Sequence, residues 1–229
     1  MKTIITTFLS IAVTFFMHAQ KRTVDIEDFS ALSLAIPGTL YLKQGSNVKV
    51  EIDCDDDDFE EIEFKMSGDR LIITRENKWS WRSGWRNSDV TIYVTMKEIE
   101  RLSVSGSGNI EGRSKLDVDD IELSVSGSGD MELDLIGDEL ETRISGSGSI
   151  RLSGSASEAS ARVSGSGKIK GEDLTVASFE AKISGSGSCY ISVTEEIEAS
   201  ISGSGSVYYA GNPERVISNS SGSGKVRKI

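Results

Sequence analysis

From residue 102 onward, apolar residues stand at fixed offsets around a recurring polar tetrad. Ser-Gly-Ser-Gly begins at Ser105, Ser126, Ser145, Ser164, Ser184, Ser202 and Ser221, at intervals of 21, 19, 19, 20, 18 and 19 residues. Just before the tetrad stand Val104, Val125, Ile144, Val163, Ile183 and Ile201. Two residues earlier come Leu102, Leu123, Thr142, Ala161, Ala181 and Ala199. Two residues after the tetrad come Ile110, Met131, Ile150, Ile169, Cys189, Val207 and Val226, with polar residues between. Period-two alternation on both sides of a Gly-rich bend predicts strand, bend, strand. A variable segment then follows, with its own apolar residues Leu116, Leu135, Leu174 and Val193.

A single unit of this kind has one apolar row per strand and nothing to bury it against. A period near 19 residues marks a solenoid. Stacking the units in parallel joins each backbone to the next coil at about 4.8 Å and turns like residues into buried ladders. Glycine supplies the positive-φ bend. The expected fold is therefore all-β, a right-handed parallel β-helix with coils of about 19 residues, right-handed being the default for such crossovers. A flexible Gly/Ser linker would not keep apolar residues at fixed offsets. Leucine-rich and calcium-binding nonapeptide repeats need residues that these units lack.

Both ends depart from the repeat. In the last unit Ser218 and Ser220 replace the apolar positions, and the chain closes on Lys225-Val226-Arg227-Lys228-Ile229, whose charges discourage edge-to-edge growth. Toward the front, Ile36 to Leu42 reads as a degenerate coil. Val48-Val50-Ile52, Phe64-Met66, Leu71-Ile73 and Val90-Ile92-Val94 also alternate. Residues 24–104 are expected to form irregular coils with insertions, and 105–229 the regular ones, in a single domain over 20–229.

Residues 1–19 read as a signal peptide. Lys2 precedes an apolar stretch from Ile4 to Met17, and Ala19 offers a small residue for cleavage; the stretch is too short to span a bilayer. No later stretch is long and apolar enough to do so, and the expected location is periplasm, cell surface or secreted. The chain of 229 residues has a formal charge of −11. Without residues 1–19 it has 24 bases, 36 acids and no histidine. That balance argues against a nucleic-acid partner. It also excludes Ser-His-Asp and Cys-His catalysis and His-ligated zinc. No cofactor is expected. Cys54 and Cys189 are expected to be unbonded to each other, because they fall several coils apart and a disulfide spans at most about 7 Å between Cα atoms.

The tetrads, the run Phe29-Ser30-Ala31-Leu32 and the segment Gly38-Thr39-Leu40-Tyr41-Leu42 resemble the putative auto-transporter adhesin, head GIN domain family, a domain of unknown function in secreted proteins of Bacteroidetes-type bacteria. The resemblance spans residues 24–229. It implies a right-handed parallel β-helix in an exported protein and supplies no catalytic residues.

Three groups are candidate sites. Asp53, Asp55 and Asp57 mimic the start of a calcium loop, but Asp58 stands where the turn glycine belongs and Phe64 where the bidentate Glu belongs; the alternative is a solvated acidic turn. Trp79, Trp81 and Trp85 hold every indole of the chain, either as a flap over open coils or as a sugar-stacking patch. Tyr190 and Tyr208 fall at equal offsets in an outward row reading Glu111, Glu132, Arg151, Lys170, Tyr190, Tyr208, Arg227. With Arg143, Arg162, Lys168 and Lys182 this row could form a basic strip for anionic glycans. Against that, Glu141–Arg143 and Glu180–Lys182 are expected to pair and neutralise each other.

The leading expectation is an exported, non-enzymatic β-helix of the cell envelope, adhesin-like, with carbohydrate or another envelope protein as partner and with the capacity to form oligomers. The alternatives are a polysaccharide lyase or hydrolase, by analogy of fold alone, and a purely structural scaffold. No outward row of residues 105–229 is expected to place several Asp on adjacent turns.

Overall fold

The computed structural model describes residues 21–75 and 90–229. The expected signal segment and the three tryptophans therefore lie outside the described residues. The N-terminal part contains β1 (Arg22–Val24), β2 (Ala31–Leu34), β3 (Thr39–Gln44), β4 (Lys49–Asp53), the helix α1 (Asp56–Glu61), β5 (Ile62–Ser67), β6 (Arg70–Arg75) and β7 (Thr91–Met96). The repeats supply β8 (Arg101–Gly106), β9 (Asn109–Gly112), β10 (Leu116–Asp117), β11 (Asp120–Gly127), β12 (Asp130–Gly146), β13 (Ser149–Gly165), β14 (Lys168–Gly185) and β15 (Ser188–Gly203). The final turn is β16 (Ser206–Ala210), β17 (Arg215–Gly222) and β18 (Lys225–Lys228). All belong to one hydrogen-bonded sheet wound into a parallel β-solenoid.

Coils stack parallel and in register. Val104, Val125, Ile144, Val163, Ile183 and Ile201 pair coil to coil, and so do the tetrad serines and glycines. The ladders are the core: every member of that row is nearly inaccessible to solvent, as are Ile110, Met131, Ile150, Ile169, Cys189 and Val207. Leu116, Leu135, Leu174 and Val193 line the further side of the interior. Thr142 is the buried polar residue of the core, and its hydroxyl donates to the carbonyl of Ser160 on the next coil at 2.8 Å. That bond satisfies a group that would be costly to bury alone.

The two glycines of each tetrad do different work. The first takes the positive φ of the corner, as at Gly146 with φ +124°. The second points inward. A Cβ on Gly148 would lie 2.2 Å from the carbonyl oxygen of Gly129 and 2.7 Å from Val125 Cγ1. The corner backbones thus approach more closely than a side chain allows, and the Gly127 carbonyl accepts from the N–H groups of Ser147 and Gly148 at 2.8 and 3.1 Å. The bend predicted from φ alone is also a contact between coils.

The N-terminal coils use mixed pairing. β2 and β3 stack in parallel on β8 and β9 on one side and on β6 and β7 on the other. β4 runs antiparallel to β7 and to β1, and β5 forms an antiparallel hairpin with β6. The Phe64–Met66 alternation lies on an outer hairpin strand, where Phe64 packs part-buried against the core and Met66 is exposed. At the other end β17 and β18 close the stack, with Ser218 and Ser220 exposed at what would be inward positions.

Candidate functional site

Two outward faces meet at the tetrad corner. On the face after the corner, the register joins residues from eleven strands into one stripe, which begins at Thr23 of β1 beside Glu51. From there it reads Glu51, Tyr93, Tyr41, Glu111, Glu132, Arg151, Lys170, Tyr190, Tyr208, Arg227. The seven members from Glu111 on are those expected from the repeat. Tyr190 and Tyr208 stack with ring centroids 4.8 Å apart and planes 14° apart, so each covers one face of the other. The stripe continues into β3 and β7, where Tyr41 and Tyr93 form a second pair at 5.5 Å and 42°. Arg113 lies over Tyr41 and Lys21 over Tyr93, at 3.9 and 3.7 Å from the ring centres. Sequence reasoning missed this pair because no tetrad precedes either residue. The signal available was the Leu-Tyr-Leu and Ile-Tyr-Val alternation in two apolar strands.

On the face before the corner, Arg143, Arg162 and Lys182 stand in register on successive coils. They line an open groove of about 560 Å³ together with serines of two adjacent rows, Ser126, Ser145, Ser164, Ser184 and Ser202 among them. A network of carboxylates holds the cations from behind. Arg101 Nε donates to Glu122 at 2.9 Å, Arg143 bonds Glu122 and also Glu141 at 2.7 Å, and Arg162 reaches Glu141 at 3.5 Å. Lys182 pairs with Glu180. The expected Glu141–Arg143 and Glu180–Lys182 pairs are both present. Neutralisation is incomplete in geometry, because a guanidinium has five N–H donors and each Arg keeps some for the groove. The Arg101 hydrogen bond, aided by the charge of Arg143, holds the Glu122 carboxyl below its ordinary value against the opposing effect of burial.

Acidic residues gather at a different corner. Eight carboxylates, Asp119, Asp120 and Glu139 among them, line a groove of about 700 Å³ with Arg101 at its side. Asp120, Glu139 and Glu158 occupy one row on three adjacent turns. The row holds a single Asp and two Glu; it belongs to the variable segment between strands, whose register could not be read from the tetrads. Among the described residues, no group of three carboxylate, thiol or imidazole side chains is placed to hold a metal ion.

The acidic run after β4 is a helix rather than a loop. Asp53 ends β4, Asp55 is the N-cap of α1, and Asp57 lies in its first turn beside Asp56 and Asp58. Acidic side chains there complement the positive end of the helix dipole. Cys54 and Cys189 are both free and buried. Burial, with the nearby charge of Asp58, pushes the Cys54 thiol up to about 11. Burial alone pushes Cys189 to about 12. Neither is a reactive thiolate at neutral pH.

Short in-register coils, glycine corners and long polar rows on the outer faces define a parallel β-solenoid protein. The chain belongs to the family described as putative auto-transporter adhesin, head GIN domain, which matches residues 28–213. Its fold is that of a putative adhesin from Bacteroides fragilis, at TM-score 0.85 and 22% identity, covering 92% of this chain and 96% of that one. A putative lipid binding protein from Parabacteroides distasonis matches at TM-score 0.72 and 25% identity, over 92% and 96% of the two chains. A putative adhesin from Parabacteroides merdae matches at TM-score 0.71 and 24% identity, over 92% and 95%. No curated protein matches the chain. The family resemblance and the solenoid expected from the tetrads are both borne out. Among the described residues no helix is long and apolar enough to cross a membrane.

Proposed function

We propose that this adhesin-like protein is exported and binds an anionic polysaccharide along the groove of Arg143, Arg162 and Lys182. The observation that carries the reading is the register: three cations on three successive coils, flanked by a ladder of serine hydroxyls. A linear polymer lying along the solenoid axis would meet one cation and the same hydroxyls at each rung, about every 4.8 Å. Carboxylate or sulfate groups accept charge-assisted hydrogen bonds from guanidinium. The surrounding protein is acidic overall, so selectivity comes from the local row and not from net charge. Export is supported by the apolar pattern of residues 4–17.

The test is binding of purified protein to uronate-rich and sulfated polysaccharides, with neutral glycans as comparison. The variant R143Q/R162Q/K182Q should bind the anionic polymers at least tenfold more weakly, and wild-type binding should weaken as salt rises. Unchanged affinity in the triple variant would remove the groove from consideration. Vesicles of anionic lipid form a second arm, because a structural relative is described as lipid-binding. Preferential binding there would replace polysaccharide with a membrane surface as the partner. The acidic groove supports a second reading, polysaccharide hydrolysis by paired carboxylates. Turnover of the same polymers that is lost in D120N/E139Q would establish it.

A further inference from the structure

We infer that the stripe after the tetrad corner is the interface of a homodimer whose two solenoids lie antiparallel, face to face. The argument is the order of residues along the stripe. An axis set between Glu132 and Arg151 matches ten of the stripe's eleven members and leaves only Thr23, beyond Glu51, outside the mirrored set. Counting outward, Glu132 is matched by Arg151, and Glu111 by Lys170. Beyond them Tyr41 is matched by Tyr190, and Tyr93 by Tyr208. Glu51 at one end is matched by Arg227 at the other. Every acid has a base at the mirrored position, and every tyrosine has a tyrosine.

A two-fold axis in the plane of the face, parallel to the strands and passing between the Glu132 and Arg151 coils, superposes each residue on its mirror partner in a second copy. That is the self-complementarity an isologous interface requires. Parallel alignment of the two solenoids would set Glu132 on Glu132 and Arg151 on Arg151, so the charges select the antiparallel arrangement. The neighbouring outward row adds no like-charge contact near the axis, since Asp130 would meet Ser149. The side chains of Glu132, Arg151 and Glu111 are 68%, 52% and 42% exposed, while Glu111 also pairs with Arg113 at 3.2 Å and Glu51 with Lys49 at 2.9 Å within the chain. Glu132 and Arg151 touch within the chain only at 3.7 Å, and exposed pairs of this kind contribute little.

Size and composition fit a dimer. Nine rung spacings make the mirrored set about 43 Å long, and five residues across a strand make about 17 Å. The face is therefore on the order of 700 Å² per copy, near the roughly 800 Å² per partner of a stable interface. The four tyrosines are the residue type enriched in such interfaces. Tyr190 and Tyr208 cover one face of each other, and Tyr41 and Tyr93 carry Arg113 and Lys21 over their rings, which leaves less ring face for stacking on a sugar.

Sedimentation of the purified protein should show a dimer. E111K/E132K and R151E/K170E should each sediment as a monomer with unchanged circular dichroism, and mixing the two should restore a heterodimer. The fourfold swap E111K/E132K/R151E/K170E should again be a dimer. A second measurement does not depend on reversed charges. In E111C/K170C the two introduced thiols lie three coils apart within one chain, about 14 Å, too far to bond; across the two-fold they face each other, so oxidation should give a covalent dimer. Wild-type protein that stays monomeric at high micromolar concentration would overturn the inference. So would a dimer that both double charge variants retain, or oxidised E111C/K170C that remains monomeric.

Discussion

A glycine and a cysteine show how single residues are bound to the coil next door. Gly148 and Gly68 both look replaceable in a strand-and-turn sequence. Gly68 has φ +63° with open space where a Cβ would go, so Gly68→Ala meets only the left-handed backbone cost, about 1–2 kcal/mol. Gly148→Ala would drive a methyl against Gly129 and Val125 of the preceding coil. The coils would have to separate, and the loss should be about 3 kcal/mol or more. Urea melts of the two variants check this ranking, and a Gly148→Ala midpoint near wild type would refute the close-contact account. Cys189 gives a pH effect of definite sign. Its thiol, ordinarily near 9, is raised to about 12 in the folded chain. The folded state favours the neutral form, so this contribution is intact below about pH 9 and is lost as pH rises toward 12. Relative to Cys189→Val, wild type should lose on the order of 2 kcal/mol more stability between pH 8 and 11, read from melts at each pH.

At the scale of elements, the regular coils were legible because each tetrad fixes the phase of its neighbours. Val104 through Ile201 could be placed inside, and Tyr190 beside Tyr208, by counting offsets alone. The second glycine of the tetrad could be seen but not explained, because the atom it avoids belongs to the coil before it. The front of the molecule was harder for a physical reason. β2 and β3 are sandwiched between two strand pairs from later in the chain, and β4 and β5 reverse direction. No local pattern encodes which strand lies on which side. The Tyr41–Tyr93 pair was hidden for the same reason, and the Phe64-Met66 alternation does not show that a hairpin carries Met66 out. The acidic run turned out to be a short helix with three acids in its first turn, where they meet the positive end of the helix dipole. Of the candidate site, the cation row and its carboxylate partners were legible, while the stacked acids of the variable segment were not.

At the scale of the whole molecule, the first strand and the last lie at opposite ends of the stack. β1 adds to β4 beyond the N-terminal coils, and β18 closes the other end. The inter-coil hydrogen bonds run along the line joining those ends. A pull applied to the two termini therefore loads the coils one behind another and peels them singly, instead of shearing a whole sheet at once. Each released coil of about 19 residues should lengthen the tether by about 60 Å, its extended span less one rung. Single-molecule extension should give a train of near-equal small steps through the regular region, ahead of a different signature from the mixed N-terminal strands. One abrupt rupture of the entire chain would contradict it. Such a molecule yields by degrees: it lets out length under tension while the coils not yet peeled keep their fold.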